Sequence, residues 1–433
     1  MEKERIEKVK KHIRTEAALE AGQVLKKITD NFPDNPEGMK YFYDLLSRQF
    51  SEEILPKNGK KLIGTMCVQV PDELILAAGA KPVRVCSGSF PYDNAGAEFM
   101  PAKTCSMIKA IMGLFQVEDF REKFDMLVIP TTCDQKKKTT EILKDMGYEA
   151  YSLAMPSRKD DDNSRYYWQN SVKEFAADLM KKTGNKITKE SLKKAFDLKN
   201  EARYEFRRLF KLRMKNPAVI YGKDAFLIAN AYFTDDIESW TAALKKLNDE
   251  LEKKVEEGFS VANAKVPRFL FTGSPPIFPN MKIPLLVEEA GGLIAIDEVC
   301  SSSRLLYDMP SYDEQGLYDM IPAIADCYLK PCTCPCFVPN EERKDKISNL
   351  IDMFNIDGVI YQAFSGCQLY EMEQKLIGNF LMKKGVPMLY IESDYSPEDT
   401  GQLSTRVEAF IESIKMKKKS SAAKKEENKK DKK

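Results

Sequence analysis

LIGTMCVQVPDELILAAGAKPVRVC, residues 62–86, decides the fold class. LIGTMC reads as a short apolar strand and PVRVC as the next one. Between them PDELILAAG reads as a helix, with Pro71 near its start, where a missing N–H costs nothing, and Gly79 at its stop. Strand, helix, strand in this order makes a βαβ unit and hence a parallel sheet. The alternation continues with DMLVIPTTC (125–133), a helix KKKTTEILKDMG stopping on Gly147, and EAYSLAMP (149–156). It resumes after Pro267 with RFLFTGS (268–274), a helix within NMKIPLLVEEAGG (280–292), and GLIAIDEVC (292–300). DGVIYQAFSGC (357–367), a helix ending near Gly385 and VPMLYIESD (386–394) complete the second set. The expected fold is α/β, with two similar parallel-sheet domains of Rossmann or flavodoxin-like type.

The flanking segments read differently. Residues 1–58 carry apolar positions at helical spacing, among them Ala18, Val24, Leu25 and Ile28, and are expected to form a helical lead-in. The first α/β domain is expected over 59–163, a helical bridge over 164–265 and the second α/β domain over 266–415. The charges of the bridge, as in SLKKAFDLKNEARYEFRRLFKLRMK, read as a solvated helix face. The lysine-rich end, 416–433, reads as a disordered tail.

Composition narrows the function. A net charge of +1 on 433 residues is too balanced for a general polyanion binder, so no nucleic acid is expected as partner. No stretch has the roughly 18 apolar residues of a membrane span, and the charged start lacks the apolar core of a signal peptide, which points to a cytoplasmic protein. The single histidine, His12, sits in a charged segment and leaves almost no material for Ser/His/Asp or Cys/His nucleophiles. Ten cysteines remain. In a reducing compartment they are ligands or catalysts rather than disulfide partners, and thiolates without imidazole favour an iron–sulfur cluster or a cysteine-rich zinc site.

The two α/β halves place their thiols in the same order. Cys86 follows PVRV as Cys300 follows LIAIDEV, each leading into serine. Cys133 ends one later strand and Cys367 the other, with Cys105 between in the first half and the CTCPC run, Cys332, Cys334 and Cys336, in the second. Ligands of parallel α/β sheets bind beyond the carboxyl ends of strands, so paired strand-end cysteines mark a cluster site. Lys136, Lys137 and Lys138, with Arg84 and Arg304, are candidates to offset its negative charge. Cys67 and Cys327 read as packing or outer thiols.

PDELILAAGAKPVRV, AEFMPAKTCSMIKA, PTTCDQKKK and GVPMLYIESDYSPEDTGQLSTRVEAFIE together resemble the 2-hydroxyacyl-CoA dehydratase D-component family, which includes benzoyl-CoA reductase subunits and double-cubane cluster proteins. In dehydratase subunits the resemblance implies one 4Fe–4S cluster on Cys86, Cys133 and Cys367. The additional thiols fit the double-cubane branch better, with an 8Fe–9S cluster on Cys86, Cys105, Cys133, Cys300, Cys336 and Cys367 in a homodimer. Cys336 is preferred because its spacing to Cys367 is closest to that from Cys105 to Cys133, and Cys332 stays a further candidate metal ligand. The likeness also implies electrons from an ATP-hydrolysing iron–sulfur activator, and this chain has no G-x-x-x-x-G-K-[ST] phosphate loop of its own. The implied activity is reduction of a small unsaturated molecule; the alternatives are dehydration of a 2-hydroxyacyl-CoA, and a non-enzymatic electron carrier or zinc scaffold.

Overall fold

The computed structural model describes residues 2–51, 59–306 and 316–430. Met1, residues 52–58 at the end of the expected lead-in and the last three residues of the expected tail lie outside the described residues.

Two four-stranded sheets form, both entirely parallel. The first contains β1 (Leu62–Thr65), β2 (Lys81–Arg84), β3 (Met126–Pro130) and β4 (Ala150–Leu153) in the order β2-β1-β3-β4. The second contains β5 (Arg268–Gly273), β6 (Leu293–Glu298), β7 (Gly358–Phe364) and β8 (Met388–Ser393) in the order β6-β5-β7-β8. Relabelled within each half, the two orders are identical. β1, β3, β5, β6 and β7 are buried along their whole length, which is why they read as near-continuous apolar runs rather than alternating ones. The duplicated α/β architecture expected from the sequence is therefore present.

The repeat extends to the thiols. Cys86 stands two residues beyond Arg84 at the end of β2, and Cys300 two residues beyond Glu298 at the end of β6. Cys133 stands three residues beyond Pro130 and opens the helix Asp134–Asp145; Cys367 stands three residues beyond Phe364 and opens Gln368–Lys384.

Helices Asp162–Thr183, Lys189–Arg213, Gly222–Ala231 and Ile237–Glu256 lie between β4 and β5. Their charges depart from the expected solvated face. Lys199 pairs with Asp72 at 3.0 Å, Arg203 with Glu73, and Arg213 with Asp297 at 2.7 Å, all six side chains being buried. One helix thus carries basic side chains to acids of both halves, a pattern that helical periodicity cannot reveal because the partners lie over 80 residues away. The N-terminal helix Glu2–Asn31 also touches both halves: Ala17 packs with Tyr92 and Ala95, while Leu25 and Ile28 join the core around Phe271 and Met281. The last helix, Thr400–Lys430, continues into the stretch read as a disordered tail, where Lys, Ala and Glu are good helix formers and no Pro or Gly intervenes. Among the described residues no helix is long and apolar enough to cross a membrane.

Candidate metal centre

Each sheet delivers its cysteines beyond the carboxyl ends of its strands, and an apolar cluster built from both halves packs against them. Ile63, Val128, Ile277, Leu305 and Phe337 belong to that cluster, and Cys67, Cys86, Cys300, Cys334 and Cys336 line it.

Lys136 is the electrostatic centre. It lies in the first turn of the helix that Cys133 opens and is only 7% exposed. Burial alone would lower its pKa, but the thiols of Cys67, Cys133, Cys300 and Cys86 around it outweigh burial and hold it above the ordinary lysine value. Lys137 and Lys138 turn outward and pair with Asp134 and Glu141 on the surface. Of the three lysines named from the sequence, one faces the thiols and two are ordinary surface charge. Arg84 and Arg304 do lie where expected: burial raises the Cys86 pKa against the pull of Arg84 and Lys136, and burial pushes Cys300 up to about 12 against the pull of Arg304.

Two thiol pairs complete the array. Cys105, at the start of the helix Ser106–Glu118, donates to Cys367 of the other half, which raises Cys105 and lowers Cys367. Cys336 donates to Cys334, which lowers Cys334, with Arg304 assisting. Cys105, Cys133 and Cys367 each occupy the position opening a helix, where the positive end of the helix dipole favours a thiolate, but only Cys367 is lowered: the bond to Cys367 raises Cys105 and burial raises Cys133.

The halves approach closely here for identifiable reasons. Gln135 accepts from the Cys105 backbone N–H at 2.8 Å and donates to the Gly366 carbonyl at 3.0 Å, bridging the two cysteine turns. Gly366 has φ +79°, and a Cβ there would lie 2.6 Å from the Lys103 carbonyl oxygen. Gly88, just after Cys86, would place a Cβ 1.7 Å from the carbonyl oxygen of Ile277. Only glycine permits either approach.

Cys86, Cys133, Cys300, Cys336 and Cys367 thus come to one region, with Cys105 joined through Cys367. Cys332 is buried and accepts from Gln69 Nε2 at 2.7 Å. Cys327 packs against the same apolar cluster and acts on Arg203. Cys67, which read from the sequence as a packing or outer thiol, and Cys334, to which Cys336 was preferred, belong to the array. Cys67 follows β1, next to the point where the chain switches from building outward on one side of the sheet to the other, and its place after LIGTM was the available signal. Among the described residues no three His, Cys, Asp or Glu side chains are grouped around a single ion position. A cluster spreads its thiolates over several irons, so buried thiols facing a shared cation suit it without converging on one point.

A match to the family described as 2-hydroxyglutaryl-CoA dehydratase, D-component, covers residues 67–414, which begins just after β1 and takes in every later strand and every cysteine. The chain belongs to that family. "Putative dehydratase subunit YjiM" of Escherichia coli (strain K12) is 30% identical over 83% of this chain and 93% of its own length. The (R)-2-hydroxyglutaryl-CoA dehydratase subunit beta of Acidaminococcus fermentans is 24% identical over 82% of this chain and 93% of its own. A benzoyl-CoA reductase subunit of Thauera aromatica is 25% identical over 82% of this chain and 92% of its own. Membership in the dehydratase D-component family makes this chain a dehydratase- or reductase-type enzyme subunit.

Proposed function

We propose that this D-component chain is an iron–sulfur protein of the double-cubane type that accepts low-potential electrons from an ATP-hydrolysing activator and reduces a small unsaturated substrate. The observation that carries this reading is the gathering of thiols from both halves around Lys136, in a chain whose one histidine, His12, is exposed on the N-terminal helix. Cys86, Cys105, Cys133, Cys300, Cys336 and Cys367 are the residues proposed to hold the cluster, with Cys67 and Cys334 beside them and Cys332, which accepts from Gln69 and acts on Cys336, as a further candidate ligand. The cluster, when bound, supplies single electrons at low potential.

The protein's own groups do the rest. Lys136, Arg84 and Arg304 offset thiolate charge in a buried setting, helix N-termini favour the ionised sulfurs, and the apolar cluster formed by both halves excludes water. Homodimerisation is part of the proposal, and particle mass in solution tests it against 49.4 kDa for one chain.

The second reading is a dehydratase subunit with one 4Fe–4S cluster on Cys86, Cys133 and Cys367; the names of the Acidaminococcus and Escherichia relatives favour it. Anaerobic purification followed by iron and sulfide analysis separates the two. About eight irons and nine sulfides per chain support the double cubane, and about four irons support the dehydratase reading. Zinc without sulfide removes both.

A further inference from the structure

We propose that Glu298 is a positioning residue that holds three cysteine segments of the second half in register with the cluster. The proposal rests on the iron–sulfur reading above. Glu298 ends β6 two residues before Cys300 and is fully buried. Its Oε1 accepts from Thr333 Oγ1 at 2.5 Å and lies 3.3 Å from Arg304 Nε. Its Oε2 takes Arg343 Nη1, and that nitrogen donates also to the Thr333 carbonyl at 3.2 Å.

Each contact leads to a thiol. Thr333 sits between Cys332 and Cys334, so both its hydroxyl and its carbonyl anchor the CTCPC loop. Arg304 follows Cys300 in the same turn region, acts on both Cys300 and Cys334, and donates from Nη2 to the Tyr370 hydroxyl at 3.0 Å. Tyr370 lies in the first turn of the helix that Cys367 opens. One carboxylate therefore ties together the Cys300 turn, the CTCPC loop and the Cys367 helix.

A carboxylate buried between guanidinium groups is a poor source of net stability compared with apolar packing, so its value lies in the geometry it imposes. Outer partners of metal ligands commonly change metal affinity by about 10–100-fold when removed. Glu298 has the further property of carrying charge, so its loss leaves Arg304 less compensated beside the thiolates.

The test uses full-length anaerobic protein as wild type, Glu298→Gln and Thr333→Val, each checked for native circular dichroism. Iron release to a chelator and the midpoint potential from a paramagnetic-resonance redox titration are measured. Thr333→Val should release iron faster by about 10–100-fold with little change in potential. Glu298→Gln should release iron faster and also shift the potential upward, because a negative charge has left the site. If Glu298→Gln does not fold, Thr333→Val decides the question by its release rate. Wild-type rates and potential in the folded variants overturn the proposal while leaving the iron–sulfur reading intact. Wild-type protein without iron and sulfide overturns both.

Discussion

Lys136 shows how a single residue's surroundings decide its role. A buried ammonium is costly unless negative groups compensate it, and the groups placed to do so once ionised are the thiols of Cys67, Cys86, Cys133 and Cys300, which follow β1, β2, β3 and β6. Cys67 is among the groups that act on Cys86, Cys300 and Cys336 as well. Replacing Cys67 by Ser should therefore reduce iron retained after anaerobic gel filtration, whereas Cys327→Ser, at a thiol that acts on Arg203, should leave iron content at the wild-type value. Equal iron in both variants would remove Cys67 from the site.

At the level of elements, the close approach of the two cysteine turns depends on glycine. Gly366 precedes Cys367 with a left-handed backbone, and its missing side chain leaves room for the carbonyls of Lys103 and Thr104. An alanine there meets backbone, which cannot rotate away as a flexible side chain can. Gly366→Ala should lower stability by roughly 1–3 kcal/mol, read as a shift of the denaturation midpoint at unchanged slope. It should also slow Cys105 and Cys367 cross-linking by a short bifunctional thiol reagent in the metal-free protein. An unchanged midpoint would mean that the turn opens without cost and that the contact does not constrain the site.

For the whole molecule, the halves are held as one body by elements outside the sheets. The helix Lys189–Arg213 reaches Asp72 and Glu73 in the first half and Asp297 in the second, and the N-terminal helix packs on both. Calorimetry should accordingly show one unfolding transition; two resolved transitions would contradict the clamp. Lys199→Met leaves Asp72 buried without its 3.0 Å partner and should cost about 3–5 kcal/mol. Because the halves are coupled, that loss should lower the single transition as a whole rather than split it.

The strands and the duplication were legible in the sequence because apolar runs closed by Gly and Pro are local signals, and the matched offsets of Cys86 with Cys300 and Cys133 with Cys367 follow directly from strand ends. The candidate thiols were legible too, since ten cysteines and one histidine leave little else that could hold a metal. Charge partners were not. Lys199, Arg203 and Arg213 read as solvated and are buried, and Lys136 could not be told from Lys137 and Lys138, because the direction a side chain faces is settled by its helix docking on distant segments. Cys67 joined the thiols of the second half only when two halves separated by more than 200 residues were brought face to face, and Glu298 met Arg304, Thr333 and Arg343 only when the second half folded on itself: burial and electrostatics act through space, and a linear pattern records only what is near along the chain.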